Sequence, residues 1–277
     1  MTELTIGYSP CPNDTYIFHA LVHGRVEPEG IRLAPPVLED VETLNRWAME
    51  ARLDISKLSF HALGHVLDRY VMLRSGAALG RGCGPLLVTV PERAHEDPAG
   101  WTIAVPGRFT TAALLLALYA PGHGRTGVMR FDTIMDAVRS GRVDAGVIIH
   151  EGRFTYGGQG LHCVRDLGQW WEEETGLPIP LGCIAVRKSL VAVVPEMERA
   201  IRESILAART DPGAGMAYIR RHARELDQEV IRSHIDLYVN DFSLDLGEEG
   251  LAAVSELLRR GRRAGIFPES ARLEDGR

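Results

Sequence analysis

Short apolar runs alternate with stretches of helical periodicity over residues 1–60. Apolar residues that alternate with polar ones predict strands, and apolar residues spaced three and four apart predict helices. Asn13 and Asp14 are suited to cap the first helix, and Gly24 is suited to end it. The predicted order is strand, helix, strand, helix, strand, over residues 4–8, 15–23, 31–34, 39–49 and 55–60.

The same order of elements recurs in residues 101–150, over residues 101–105, 111–119, 126–131, 133–140 and 143–149. A turn that contains proline follows the first strand of both series, and Arg52-Leu53-Asp54 has a counterpart in Arg142-Val143-Asp144. Strands that alternate with helices predict mostly parallel sheets covered by helices. We therefore predict an α/β protein with two similar lobes.

The remainder of the chain is predicted to be largely helical. Apolar spacing predicts three helices that pack back on the first lobe, over residues 195–209, 229–240 and 251–260. Strands over residues 86–90 and 181–186 are predicted where the chain crosses between lobes. The predicted lobes are residues 1–92 with 188–277, and residues 93–187. We expect a hinge motion to close the cleft between them around a ligand.

In parallel sheets, ligands bind beyond the carboxyl ends of the strands, where helices begin. Applied to both lobes, this rule selects residues 9–15, 57–61, 106–111 and 150–151. If the lobes face each other, these segments line one cleft. Helix starts in the cleft offer N–H groups and the positive end of the helix dipole, so we predict a small acidic organic molecule as the ligand.

Composition and charge narrow the class of protein. Apolar residues make up 45% of the chain and charged residues 25%, as in ordinary globular proteins. The net charge of −6, without a long basic run, argues against a nucleic-acid partner. No apolar run reaches the roughly 18 residues of a membrane span, and no signal peptide is visible, so we expect a soluble cytoplasmic protein with no membrane partner. The sequence leaves the oligomeric state open.

Lys57 and the threonines at the second-lobe helix start are the predicted ligand contacts. Lys57 interrupts a strand that is otherwise apolar, and a buried lysine requires either an anionic ligand or a nearby carboxylate. A structural ion pair with Asp14 or Asp54 is the alternative. Thr110 and Thr111 offer hydroxyl donors, although Thr110 is equally explained as a helix N-cap.

His150 is the candidate for catalysis. It follows the most apolar strand of the chain, Ala145–Ile149, at the predicted position of the cleft. Histidine is the side chain whose ordinary pKa lies near neutrality, which suits a general base. A hydrogen-bonded structural histidine is the alternative, and Glu151 is a possible neighbour.

The sequence does not favour metal or hydrolase chemistry. His19/His23 and His61/His65 have the spacing of paired metal ligands on a helix, but neither pair has an obvious third ligand nearby. The four cysteines form no CxxC pair, so we expect free thiols and no zinc site. A GxSxG element and a phosphate-binding loop are also missing from the sequence.

Several longer motifs resemble the 1,4-dihydroxy-6-naphthoate synthase family of menaquinone biosynthesis, in the futalosine route. The opening string Ser9-Pro10-Cys11-Pro12-Asn13-Asp14-Thr15 is the most specific of them. Further matching segments extend over nearly the whole chain: residues 57–62, 105–112, 148–156, 170–178 and 238–243.

The resemblance implies a type II periplasmic-binding-protein-like fold that works as an enzyme. It implies conversion of cyclic dehypoxanthine futalosine into 1,4-dihydroxy-6-naphthoate, with loss of the sugar-derived fragment and without a cofactor. His150 then corresponds to the family's proposed base. The candidate substrate-binding residues, from the resemblance and the predicted cleft together, are Asn13, Asp14, Lys57, Leu58, Ser59, Thr110 and Thr111.

Two other functions remain as alternatives. A small-acid binding or sensing protein has the same fold, but transport or DNA-binding use would require an export signal or an additional domain. Chorismate dehydratase, an enzyme of the same fold and pathway, is the other alternative. The opening motif and His150 favour the synthase.

Overall fold

The computed structural model describes residues 2–122, 124–223 and 227–273. Its strands are β1 Thr2–Leu4, β2 Ile6–Tyr8, β3 Ile31–Leu33, β4 Val37–Leu38, β5 Ile55–Ser59, β6 Tyr70–Met72, β7 Ala78–Gly80, β8 Leu86–Thr89, β9 Ile103–Val105, β10 Thr126–Val128, β11 Ala145–Ile148, β12 His162–Asp166 and β13 Ile179–Arg187. Its helices are α1 Pro12–Val22, α2 Val41–Met49, α3 Phe60–Val66, α4 Thr111–Tyr119, α5 Ile134–Arg139, α6 Gly152–Thr155, α7 Leu167–Thr175, α8 Val194–Thr210, α9 Met216–His222, α10 Gln228–Tyr238, α11 Asp241–Leu244 and α12 Gly247–Arg263.

Two mixed sheets of the same design form the framework. The first has the order β4-β2-β5-β13-β6, with β7 also paired to β13. The second has the order β10-β9-β11-β8-β12. In each sheet three neighbouring strands run parallel, and the next strand runs antiparallel to them. This common order confirms the predicted duplication and the α/β class.

The pairing of strands corrects one predicted element of the repeat. The strand predicted over residues 31–34 forms as β3, but β3 pairs with β1 in a separate two-stranded sheet. The place beside β2 is taken by the short strand β4, which the sequence analysis did not predict. Pro35 and Pro36 separate β3 from β4 and lack the N–H groups that continuous pairing requires.

Each of the two strands predicted at a crossing between lobes belongs to the sheet that the chain enters after the crossing. β8 pairs with β11 and β12 in the second sheet, and β13 pairs with β5, β6 and β7 in the first. The division into residues 1–92 with 188–277 and residues 93–187 stays a prediction. Sheet membership favours boundaries that lie just before β8 and just before β13.

Two helix starts determine which groups face the cleft. α1 begins at Pro12 with Cys11 at the N-cap, so the expectation that Asn13 and Asp14 cap the helix is wrong. Proline is favoured at the first helical position because its fixed φ suits the helix and its missing N–H is not needed there. Both polar residues therefore lie inside the first turn. α4 begins as expected, after Thr110 at the N-cap.

The C-terminal helices pack mainly on the first lobe, as predicted. α8, α9 and α10 contact α1, and α12 contacts β13. One hydrophobic cluster joins the two lobes, because Leu58 and Phe60 from the first share it with Ile103 and Leu115 from the second. Within the three described stretches, no helix combines the length and apolar content needed to cross a membrane.

Candidate active site

A cleft with about 660 Å³ of atom-free space lies between the carboxyl ends of the two sets of parallel strands. All eight residues selected from the sequence line it: Asn13, Asp14, Lys57, Leu58, Ser59, Thr110, Thr111 and His150. Other residues that line it include Ser9, Cys83, His234 and Tyr238. Leu58 is fully buried, so its side chain contributes to the apolar core beneath the cleft.

Lys57 forms an ion pair with Asp14, which is the structural alternative considered above. Lys57 Nζ lies 2.9 Å from Asp14 Oδ1, and the two side chains are only 6% and 2% exposed. Lys57 Nζ also donates to the backbone oxygen of Gly76 at 3.2 Å. Asp54 is not its partner, because that carboxylate accepts hydrogen bonds from the backbone and hydroxyl of Thr5.

Asp14 organises the polar side of the cleft. Its Oδ2 accepts from the Ser9 backbone N–H at 3.2 Å and from the Ser9 hydroxyl at 2.7 Å. Its Oδ1 accepts from Asn13 Nδ2 at 2.9 Å in addition to Lys57. Asp14 therefore holds the segment before α1 and the middle of β5 in one fixed arrangement.

The threonine hydroxyls at the start of α4 are used inside the protein. Thr110 Oγ1 donates to the Gly107 oxygen at 2.9 Å and accepts from the Ala113 N–H at 3.3 Å. Thr111 Oγ1 donates to the Leu181 oxygen at 2.6 Å. Since the first N–H groups of a helix have no acceptor within it, an acidic ligand would meet backbone N–H groups here rather than hydroxyl protons.

Two residues of α2 that the sequence analysis did not select tie this helix start to the first lobe. Asn45 donates to the Ser59 hydroxyl at 3.0 Å and to the Phe109 oxygen at 3.2 Å, and accepts from the Ser59 N–H at 2.9 Å. The Glu42 carboxylate accepts from the N–H groups of Arg108 and Phe109 at 2.9 and 3.0 Å. Burial raises the pKa of Glu42, although these two hydrogen bonds oppose the shift.

His150 lies two residues beyond β11 with its backbone in the left-handed region, at a φ of 56°. A non-glycine residue in this conformation costs of order 1 kcal/mol, and such strained residues cluster at functional sites. The ring nitrogens lie 3.6 and 3.8 Å from Cys11 Sγ, and the ring of Phe131 packs edge-on with centroids 5.0 Å apart. Burial lowers the pKa of His150, and Glu151 partly opposes this shift.

The surroundings of His150 favour a neutral imidazole beside a neutral thiol. Burial, followed by the charge of Glu151, raises the pKa of the Cys11 thiol well above its ordinary value. The cysteine is therefore a weak hydrogen-bond partner rather than a thiolate. With its lowered pKa, His150 is unprotonated at neutral pH and can accept a proton.

His234 and Tyr238 on α10 are cleft residues that the sequence analysis missed. Their rings pack with centroids 4.6 Å apart, and the His234 ring is nearly parallel to that of His150 at 6.1 Å. Burial, followed by the proximity of His150, holds the pKa of His234 well below its usual value. Tyr238 belongs to a motif shared with the family, residues 238–243, but His234 lies four residues before that motif.

The two histidine pairs considered as metal ligands have other surroundings. His61 Nδ1 lies 3.0 Å from the Thr110 oxygen, and burial lowers its pKa to about 4. His19 and His23 pack against each other with ring centroids 4.5 Å apart. Among the described residues, no three His, Cys, Asp or Glu side chains are grouped so that they could hold a metal ion.

Two such sheets with a cleft between them define the class of the periplasmic-binding-protein-like folds. The periplasmic aliphatic sulphonate binding protein of Escherichia coli superposes with a TM-score of 0.68 at 14% identity, over 99% of this chain and 92% of that one. At this identity the likeness shows the fold alone. A crystal structure of a protein from Archaeoglobus fulgidus is more similar, with a TM-score of 0.89 and 38% identity over 96% and 98% of the two chains.

The chain belongs to the menaquinone biosynthesis family, whose model matches residues 4–263. A Thermus thermophilus protein named 1,4-dihydroxy-6-naphthoate synthase is 53% identical over 98% of both chains. A Streptomyces coelicolor protein of the same name is 48% identical over 96% of this chain and 95% of its own. The family resemblance found in the sequence and the prediction that the chain is an enzyme are therefore confirmed.

Proposed function

We propose that this enzyme is a carbon–carbon lyase that converts cyclic dehypoxanthine futalosine into 1,4-dihydroxy-6-naphthoate, with His150 as the general base. The observation that carries the proposal is the 53% identity, over nearly the full chain, to a relative named for that product. The position of His150 in a cleft between two helix starts supports its assignment as the base.

The chemistry requires a base and a means of holding an acidic substrate. Breaking carbon bonds next to a ring that becomes aromatic requires removal of a proton from the substrate at a defined position. A buried imidazole with a lowered pKa is available in its neutral form at pH 7. The N–H groups at the start of α4 would bind the carboxylate, and the paired Lys57 and Asp14 would fix the polar wall beside it.

Replacement of His150 with Asn tests this assignment. The amide keeps part of the volume and hydrogen bonding but cannot accept the proton, so turnover should fall by roughly 10²–10⁴-fold. Formation of 1,4-dihydroxy-6-naphthoate is followed chromatographically without added cofactor, and substrate affinity is measured by calorimetry. Affinity should change little. His162→Gln, at an exposed position on β12, is the matched control and should turn over like the wild type.

The pH profile provides a second measurement. Because burial lowers the pKa of His150, wild-type activity should stay constant from pH 8 to 7 and fall only below about pH 6.5, the ordinary histidine pKa. Near wild-type turnover by the His150→Asn variant would refute the role of His150. Substrate binding without product would favour a binding protein, and turnover of chorismate would favour the dehydratase.

A further inference from the structure

The Nδ1 atom of His234 is buried and has no hydrogen-bond partner. The residue lines the cleft and is only 1% exposed. Its other ring nitrogen, Nε2, lies 2.9 Å from Asn13 Oδ1. Buried polar atoms in proteins nearly always have a partner, so an unpartnered one at a ligand cleft points to a ligand group.

A chain of hydrogen bonds determines which nitrogen of His234 carries the proton. The carboxylate of Asp14 can only accept, so the Asn13 group that faces it must be the NH₂ group. The Asn13 oxygen then faces His234, and Nε2 must be the donor in that hydrogen bond. Asp14 Oδ1 accepts from Lys57 as well as from Asn13, so the direction of this series of hydrogen bonds starts at the ion pair.

The remaining nitrogen is therefore a hydrogen-bond acceptor. Burial and the nearby His150 keep His234 neutral, so it has a single proton, which lies on Nε2. Nδ1 then carries a lone pair and lies 4.0 Å from Oε1 of Glu151, which is an acceptor as well. Two acceptors face each other here without a hydrogen atom between them, so a hydrogen-bond donor of a bound molecule would supply the partner that Nδ1 lacks.

We propose that His234 is a substrate-contacting residue whose Nδ1 accepts a hydrogen bond from a hydroxyl group of the bound molecule, beside His150. The inference rests on the proposed function and adds the position of one part of the substrate. A carboxylate is excluded at this position because it would bring a third acceptor. The hydroxyl-bearing, sugar-derived part of the substrate lies at α10, and the carboxylate lies toward α4.

Nitrogen NMR of protein labelled with ¹⁵N-histidine tests the tautomer directly. In the free protein at pH 7, His234 should show a protonated Nε2 and an unprotonated Nδ1; His234→Gln assigns the signals. A proton on Nδ1, or on both nitrogens, would overturn the inference. This measurement does not depend on turnover. A failure of the proposed function would instead appear as absence of product from the wild type, so the two failures can be distinguished.

Binding to the His150→Asn variant, which should hold the substrate and turn it over far more slowly than the wild type, tests the contact. Saturation with cyclic dehypoxanthine futalosine should shift the Nδ1 signal toward the hydrogen-bonded range while it stays unprotonated. Binding that shifts signals of other cleft residues but leaves Nδ1 unchanged would overturn the inference.

Two probes separate a substrate contact from a structural role. His234→Gln places an amide N–H near Nε2 and preserves the bond to Asn13, but it removes the acceptor. The Kd for cyclic dehypoxanthine futalosine should rise by roughly five- to a hundredfold. The Kd for 2-naphthoate, which has the acid but no hydroxyl, should not change. Equal weakening of both probes would overturn the inference; His162→Gln is the control.

Discussion

The buried ion pair between Lys57 and Asp14 gives a prediction whose size follows from the surroundings of each partner. Both side chains are almost fully buried and lie 2.9 Å apart. When Asp14 is replaced with Asn, Lys57 loses its counter-charge and keeps only neutral acceptors, such as the Gly76 oxygen. A buried charge left without its partner costs about 3–5 kcal/mol of folding free energy, so the Asp14→Asn variant should lose about that much.

Replacement of Lys57 should cost less than replacement of Asp14. In the Lys57→Met variant, the Asp14 carboxylate retains three donors: the Ser9 N–H, the Ser9 hydroxyl and Asn13 Nδ2. We therefore expect a loss of about 1–3 kcal/mol. A cleft-facing lysine without a partner in the fold would contribute little to stability, but Lys57 has a partner in Asp14.

Urea unfolding at pH 7, monitored by circular dichroism, measures both losses, provided that the m-values stay equal. The exposed pair Arg81–Glu249, at 2.8 Å, is the matched control. Glu249→Gln should cost less than about 1 kcal/mol because solvent screens exposed pairs. If Asp14→Asn costs no more than Glu249→Gln, the argument from burial is refuted. If Lys57→Met costs more than Asp14→Asn, the argument from the remaining donors is refuted.

Three further predictions concern the contacts around α4. A Cβ atom at Gly107 would lie 2.3 Å from Glu42 Oε2, so Gly107→Ala should destabilise the protein by about 1–3 kcal/mol in thermal unfolding. Gly127 has open space around it, so the control variant Gly127→Ala should not be destabilised by a steric clash. The pKa of His61 falls from 6.5 to about 4 on folding, so its stabilising contribution is present above pH 6.5 and is lost as the pH falls toward 4. The free energy of unfolding of the wild type should therefore fall by about 3 kcal/mol over this pH range, and that of the His61→Asn variant should not. An identical pH dependence of stability in the two proteins would contradict this prediction. Thr111→Val removes a 2.6 Å hydrogen bond and should cost about 1 kcal/mol in urea unfolding; unchanged stability would contradict this.

The repeated order of elements was predictable because each element carries its own local signal. Periodicity predicted α4 and α2 to within two residues, although the N-cap of α2, Asp40, was not predicted. Strand pairing carries no such local signal. The sequence therefore did not distinguish β3, which pairs with β1, from β4, which fills the repeat.

The candidate site was predictable where a residue has a local signal in the sequence. His150 and Thr111 lie at the end of an identifiable strand and at the start of a helix, and Lys57 interrupts an otherwise apolar strand. His234 has no such signal, because it reaches the cleft from the C-terminal part of the chain, more than eighty residues after His150. Which face of α10 meets the cleft depends on its packing against α1, and apolar periodicity alone does not specify that packing.

Burial has two consequences for the ionisable residues of this cleft. It makes Lys57 and Asp14 dependent on each other, since either charge alone would be costly so far from water. It also disfavours the charged form of histidine, which lowers the pKa values of His150 and His234. The same desolvation that makes Lys57 and Asp14 require each other therefore keeps the two imidazoles neutral at neutral pH. The ion pair of Lys57 and Asp14 can orient Asn13, and through it His234, without placing an unpaired charge beside His150. If His150 acts as proposed, burial supplies its proton-accepting form, and the hydrogen bonds from Asp14 through Asn13 fix the tautomer of His234 beside it.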